Sequence, residues 1–443
     1  MLAAKVVPLF RLCKDQLSPC THYDFGLRAL KSVLVGAGGI KRRADAESSE
    51  SQLVLQSFCG SIVPKLIPED IPMFYALLSD VFPGSNLPHS TSDEVRLMLL
   101  TVCKESHFSP ENGFITKVMQ LSEIARLHHG IMLVGPPGSG KTSSWRLLFE
   151  ALKRIETNAP SPHFYVINPK ALTKAALFGH LDATTREWSD GVLTSILRKV
   201  VAGQRGDQNN GRHWIVLDGD VDPEWVENLN SVLDDNKMLT LPNGERLALP
   251  DNVRILFEVE DLRYATPATV SRCGMIWFGA SNVRPDMQVR RSIACLSSGI
   301  DPSSAISSAQ MRQQSALAMT DRECWSSLES ILSQGDLLTR AFAHAGGLEH
   351  VMPFSAHQAA DSFISLLRGA VSELTAFVAE SGEDTDKGWI KGFLEKHVAL
   401  SLAWAFGGSL PAATRSSMSS WINENSTTKC PTESTLYDWE VRN

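Results

Sequence analysis

Gly135-Pro136-Pro137-Gly138-Ser139-Gly140-Lys141-Thr142 fits the pattern G-x-x-x-x-G-K-[ST]. The chemistry open to such a run is anion capture. Its glycines let successive main-chain N–H groups curl around a phosphate, and a helix starting at its end aims its N-terminus at the same charge. Lys141 would reach the β- and γ-phosphates of a nucleoside triphosphate, and the Thr142 hydroxyl would ligate Mg2+. The alternative is a chance glycine-rich turn. Against it, a strand-like run (131–134) precedes the loop and a helical run (143–155) follows, which is the context the motif requires. ATP and Mg2+ are therefore the expected ligands.

Hydrolysis needs more. A loop of this kind that turns ATP over has a second strand ending in Asp then Glu, the first for the Mg2+ hydration shell, the second to polarise the attacking water. That strand is Trp214-Ile215-Val216-Leu217-Asp218-Gly219-Asp220. Asp218 is in place to hold Mg2+ through water. Gly219 has no side chain to offer, and Asp220 is one residue further on, where an extended segment points its side chain the opposite way. Loss of a general base costs ~10²–10⁴-fold in rate, so little or no turnover is expected, a carboxylate from elsewhere being the alternative. A later strand ends Ile255-Leu256-Phe257-Glu258, where a polar residue, commonly Asn, would orient the water. Glu258 either faces the γ-phosphate through a cation or is structural, with hydrogen bonds of its own.

The elements that must position these residues can be read from apolar spacing. Five short apolar runs (131–134, 164–167, 214–217, 255–259 and 275–278), the first three separated by helical patterns, predict a parallel sheet covered on both faces. Asn243-Gly244 between apolar residues predicts a hairpin over 240–249, since both residues tolerate positive φ. The spacing is helical over 1–85, where Phe25, Leu27, Leu30, Val33 and Leu34 are expected to share one face, and again from 284 to about 425. The order is helical unit, α/β unit, helical unit. Four polar stretches (41–52, 203–212, 297–314 and 380–388) read as linkers or surface loops.

Composition narrows the function classes. The 443 residues, at ~150 per domain, suggest about three packing units. With 43% hydrophobic and 21% charged residues the chain is globular, and its net charge of −7 argues against coating nucleic acid. Eight scattered cysteines without a C-x-x-C pair read as reduced thiols of an intracellular protein. The N-terminus lacks a secretory signal, and the uncharged run 398–414, broken by Gly407, Gly408 and Pro411, reads as a buried helix and a turn and not as a membrane span. A soluble, cytosolic protein is expected. The twelve histidines show no metal-ligand spacing; His128-His129 reads as helix-end structure, Trp188 and Trp225 as packing anchors, and Asp234-Asp235 as a solvated turn.

Four segments carry a family resemblance: 214–252 (WIVLDGDVDPEWVENLNSVLDDNKMLTLPNGERLALPDN), 265–277 (ATPATVSRCGMIW), 178–191 (FGHLDATTREWSDG) and 22–36 (HYDFGLRALKSVLVG). They resemble the second AAA+ module of the cytoplasmic dynein heavy chain. The resemblance covers nearly the whole chain, most weakly 285–345, and 436–441 (LYDWEV) resembles the start of a third module. It implies an α/β AAA+ P-loop module with helical small subdomains on both sides. Residues 1–85 would be the small subdomain of the preceding module, 86–283 the large α/β subdomain, 284–430 its small subdomain, and 431–443 the start of the next module. The linker, the first module's P-loop, the stalk and the microtubule-binding tip would lie outside the chain.

The resemblance further implies a fragment of a microtubule motor, in the cytoplasm and on the cytoskeleton. Its partners would be the other AAA+ modules, the intermediate, light-intermediate and light chains, and the microtubule, with no nucleic acid. Its second site is one that holds ATP without turning it over, which agrees with the reading of Gly219. Gln358, in Ser355-Ala356-His357-Gln358, falls where a second-sensor Arg would be expected, and an amide cannot neutralise a phosphate. Arg28 matches the second-sensor Arg of the preceding module, and Arg272 resembles the finger extended toward that neighbour's nucleotide. Both would complete a hydrolytic site whose P-loop lies upstream of Met1. The plain alternative for both is a surface ion pair. The rival for the whole chain is a stand-alone AAA+ ATPase of the ribosome-assembly remodelling type.

Overall fold

The computed structural model describes residues 3–42, 49–84, 93–108, 112–156, 160–182, 184–205, 211–302, 319–333, 336–381, 387–426, 435–439 and 441. The centres of the four predicted loops, Cys430 and most of 431–443 lie outside these residues. The chain divides into two compact units, Met1–Leu100 with Glu111–Asn282, and Thr101–Pro110 with Val283–Asn443.

In the first unit every predicted apolar run is a strand: β1 (Gly130–Val134), β2 (His163–Ile167), β3 (His213–Asp218), β4 (Val253–Val259) and β5 (Gly274–Trp277). All pair in parallel, in the order β2-β3-β4-β1-β5. β1 is wholly buried, as a continuous apolar run in a doubly covered sheet must be. Helices of ten or more residues that begin in this unit are α1 (Ala3–Gln16), α2 (Leu27–Lys41), α3 (Glu50–Ile62), α4 (Ile71–Val81), α5 (Asp93–Glu105), α6 (Asn112–Leu127), α7 (Lys141–Ile155) and α8 (Val192–Arg205). The unit boundary cuts α5. On one face of the sheet Trp145 and Phe149 of α7 pack edge-on against Phe164, and Phe149 against Trp214. The opposite face packs Leu193 and Leu197 of α8, with Trp225 and Val232, against Met132, Ile215 and Phe257. Trp225 is thus the core anchor that was expected. Trp188, half-buried, also packs against this core and donates its indole N–H to Asp190 at 2.6 Å.

Helices α1–α4 form a separate cluster around Phe10, Phe58 and Phe74. Buried Asp70 organises the loop leading into α2, accepting hydrogen bonds from the Ser18 hydroxyl (2.9 Å) and the Tyr23 hydroxyl (2.7 Å). The face of α2 differs from the sequence expectation. Val33 is fully buried, but Leu27 and Leu34 are 85% and 52% exposed, and the buried stripe is Ala29, Val33, Gly36 and Ala37. Small residues let α3 approach closely, with the Ser57 hydroxyl donating to Val33 O at 2.6 Å, so the inward face is the small one and the leucines lie outward.

The predicted hairpin pairs Met238–Thr240 with Arg246–Ala248. Only Gly244 takes positive φ (+85°); Pro242 and Asn243 make a turn closed by Gly244 N–H to Leu241 O at 2.9 Å. Proline pre-sets the first central position of such a turn, so the two-residue Asn-Gly geometry is not used. A second antiparallel pair joins Gly179–Leu181 to Trp188–Asp190. Arg198 of α8 links the two, with hydrogen bonds to both Glu245 oxygens (2.8 and 2.6 Å) and an ion pair to Asp190 (2.7 Å).

The second unit is helical: α9 (Pro285–Ser297), α10 (Met319–Ser333), α11 (Leu337–Gly346), α12 (Ala356–Ser381), α13 (Lys387–Gly407) and α14 (Ala412–Asn425). The run 398–414 is, as expected, the buried end of α13 followed by a turn, with Leu402, Ala403 and Phe406 in the core. Within α12, 356–380 is long and apolar enough to cross a membrane by length and composition, yet Ala360, Phe363, Leu367 and Leu374 form one face packed into this core. The seven described cysteines are free thiols.

The face assignment of α2 predicts unequal truncations. Val33→Ala should lower unfolding stability by about 1–3 kcal/mol, and Leu34→Ala by less than about 0.5 kcal/mol, measured by urea unfolding.

Candidate nucleotide-binding site

The loop after β1 is shaped by main-chain contacts. Gly135 (φ +156°) donates its N–H to Val259 O of β4 at 3.2 Å, and a Cβ there would sit 2.1 Å from Phe278 O. Only glycine can occupy that position. Gly138 (φ +79°) and Gly140 (φ +92°) are left-handed, and Gly140, as N-cap of α7, offers no side chain to its first turn. Pro136 and Pro137 form the outer bend between them. Ser139 is fully buried, and its hydroxyl has no hydrogen-bond partner among the described residues. Lys141 Nζ donates to Gly135 O (2.6 Å) and Pro136 O (3.0 Å); burial pushes its pKa down, while Glu258, Glu260, Asp218 and Asp220 pull it up. An uncapped helix start, left-handed glycines, an orphaned buried hydroxyl and a half-buried lysine all fit the phosphates of a nucleotide. Carboxylates beside Thr142 fit the cation that would accompany it.

The acidic residues are arranged unequally. Asp218 ends β3, exposed, and is the register partner of Glu258 on β4. Glu258 is only 5% exposed. It accepts the Thr142 hydroxyl hydrogen bond at 2.7 Å and that of the Trp145 indole N–H. Burial raises its pKa, and those two bonds oppose the shift. Glu258 thus has the hydrogen bonds of its own that one of its two readings expects. Gly219 (φ +152°) turns the chain away after β3, its N–H bonded to Glu258 O at 3.1 Å. Asp220 is drawn to Lys170 at 2.8 Å, and that bond holds its pKa below the usual carboxylate range.

A second constellation lies at α2. A cleft of about 200 Å3 is lined by Arg28, Lys31, His128, Asp234, Asp235 and Arg272 among others. Arg28 donates to the Ser271 hydroxyl (2.8 Å), and Arg272 to Asp234 (2.7 Å) and Ala268 O (2.8 Å). Lys31 pairs with Asp235. The two arginines named from sequence therefore share one cleft. Asp234 and Asp235 are not merely a solvated turn: each pairs with a cation brought from far along the chain. No cluster able to hold a metal occurs among the described residues. His128 and His129 follow α6, as expected of helix-end residues, their rings bonded to the Ser32 hydroxyl (3.1 Å) and Val232 O (2.7 Å). Gln358 lies in the first turn of α12, exposed, its N–H on the Ser355 hydroxyl at 3.4 Å.

Three family models match the chain. One described as the hydrolytic ATP binding site of the dynein motor region covers 1–142, an AAA domain of the dynein-related subfamily covers 130–273, and a dynein heavy chain AAA lid domain covers 328–443. Cytoplasmic dynein heavy chains match along its length: that of Caenorhabditis elegans at 43% identity over 100% of the chain, of Dictyostelium discoideum at 39% over 100%, and of Drosophila melanogaster at 40% over 99%. The chain belongs to the dynein heavy-chain family. It spans about a tenth of the length of these relatives. Its sheet and helices are those of an AAA+ α/β module with helical subdomains.

Within this dynein segment, sequence reasoning passed over Trp145 and Lys170. Trp145 reads as one more core residue of an amphipathic helix, and Lys170 as a surface charge, until the fold sets them beside Glu258 and Asp220. The one available signal was an acid at the penultimate position of a strand that, Arg254 apart, is otherwise apolar.

Burial, with Lys65 nearby, pushes the His128 pKa down to about 3, so the ring stays neutral in the fold and gains a proton readily once unfolded. Stability contributed by this residue is full above about pH 6.5 and declines as pH falls toward 3. Unfolding followed between pH 7 and pH 5 should show that decline, and His128→Asn should make it shallower.

Proposed function

We propose that this chain is the part of a microtubule-motor heavy chain that holds its second AAA+ module, with 1–85 as the small subdomain of the preceding module, 86–283 and 284–430 as the two subdomains of the second, and 431–443 as the start of the third. Its own site keeps Mg-ATP bound with little or no hydrolysis. The observation that carries this reading is the pair Gly219 and Asp220. The residue after Asp218 has no side chain and a backbone that other residues rarely adopt, and the next carboxylate is committed to Lys170.

The loop from Gly135 to Gly140 would wrap the phosphates, with main-chain amides donated from Gly138 onward and Ser139 available from below. Lys141 would exchange its loop carbonyls for β- and γ-phosphate oxygens. Thr142 would ligate Mg2+ directly, and Asp218 through water. Bound Mg2+ neutralises phosphate charge; the chain's own residues orient the nucleotide but supply no base positioned to take a proton from water. The role of the site is then structural or regulatory.

Arg272 and Arg28 would complete the hydrolytic site of the preceding module. Their shared cleft supports this, since two arginines lining one cleft suit a polyphosphate. The other AAA+ modules are the immediate partners, and the intermediate, light-intermediate and light chains and the microtubule are engaged through the whole heavy chain in the cytoplasm. A stand-alone ribosome-assembly ATPase is disfavoured, because the matched relatives are dynein heavy chains.

Mg-ATP at ~100 times its dissociation constant should add about 2.7 kcal/mol of stability, seen as a higher melting temperature, and Lys141→Ala should abolish the shift. Absence of a shift in the unmutated chain would refute binding. Steady turnover should be negligible, and turnover that vanishes in Asp220→Asn would refute the silent-site reading. In a longer segment carrying the preceding module, Arg272→Ala should slow ATP hydrolysis by at least ~10³-fold.

A further inference from the structure

We infer that Glu258 is a positioning residue for the metal: it fixes the Thr142 hydroxyl so that nucleotide binding at this site depends strongly on Mg2+. The inference rests on the nucleotide-holding reading above and adds to it the residue that sets metal dependence.

The geometry is a three-member chain. Trp145, 1% exposed, donates its indole N–H to Glu258 Oε1, and Thr142 donates its hydroxyl to Oε2 at 2.7 Å. A hydroxyl has one proton and two lone pairs. With the proton committed to Glu258, the lone pairs of Thr142 are left available to ligate a cation. Trp145 cannot reorient in its packed setting between α7 and β2, so it fixes the carboxylate, and the carboxylate fixes the hydroxyl.

Charge works in the same direction. Glu258 and Asp218 are register neighbours at the end of the sheet, so two carboxyl groups lie beside the loop that would receive a polyanion. Lys141 is the only cationic side chain of the loop itself. A divalent ion between carboxylates and phosphates removes that repulsion, and in its absence the same carboxyls oppose binding. A residue that merely stapled α7 to the sheet would act on fold stability alike with and without metal.

The test is the ratio of affinities for a fluorescent N-methylanthraniloyl-ATP, measured on the 443-residue chain in Mg2+ and in EDTA. The unmutated chain should bind at least about tenfold more tightly in Mg2+. In Glu258→Gln the ratio should fall at least about fivefold, because the charge is gone and one of the two donors loses its acceptor. Thr142→Ser, which keeps the donor, should retain the ratio. Should Glu258→Gln not fold, Glu258→Asp carries the test: it keeps the charge but withdraws it by one methylene from Thr142, and the ratio should again fall. A ratio equal to that of the unmutated chain in either folded variant, whatever its melting temperature, overturns the inference while leaving nucleotide holding intact. No binding by the unmutated chain in either condition overturns both.

Discussion

The phosphate loop of this chain depends on a side chain that is missing. At Gly135 the ends of β4 and β5 close on the main chain from both sides, with Val259 O accepting its N–H and the carbonyl of Phe278 lying where a Cβ would project. Phe278 in turn donates its N–H to Val134 O at 2.7 Å, so the strand before the loop and the strand beside it are locked together at the point where the chain leaves the sheet. The positive-φ glycines that follow then set the amides of the loop, and α7 starts where they end. The ends of β1, β4 and β5 converge there and fix the path of the main chain into the loop.

The same strand ends separate two tasks that a hydrolytic site combines. Asp218 remains exposed at the end of β3. Beyond it Gly219 diverts the backbone, and Lys170 takes the next carboxylate. Glu258 is buried and bonded to Thr142 and Trp145. Of the acids that act on Lys141, Glu258 is bonded to Thr142 and Trp145 and Asp220 to Lys170. Arg28 and Arg272 lie apart from this loop, in the cleft beside α2.

What the sequence disclosed and what it hid follow from the range of each interaction. The loop 135–142 was legible because its chemistry is local, and the five strands because a doubly covered sheet imposes unbroken apolar runs. Gly219 was legible because the absence of an acid is a property of one position. The role of Glu258 was not, since it depends on β4 lying beside β1 and on α7 folding back over it, a matter of register and not of spacing. The outward leucines of α2 misled for a related reason: apolar residues mark the core only on average, and here small residues at Ala29, Gly36 and Ala37 made the close face. Arg28 and Arg272, 244 positions apart, were joined by family resemblance before the fold showed them on one cleft. The hairpin at Gly244 formed as expected, but through a proline turn that the Asn-Gly pair alone did not reveal.

Arg198 has a mechanical consequence. The two small hairpins project from separate places in the chain, one before α8 and one after β3, and each alone is too short to be stiff. One guanidinium grips Glu245 on the second and Asp190 on the first, so a load applied to either hairpin is passed through the same side chain into α8 and the underlying sheet. Displacing either hairpin relative to the other therefore means breaking contacts made by this one side chain.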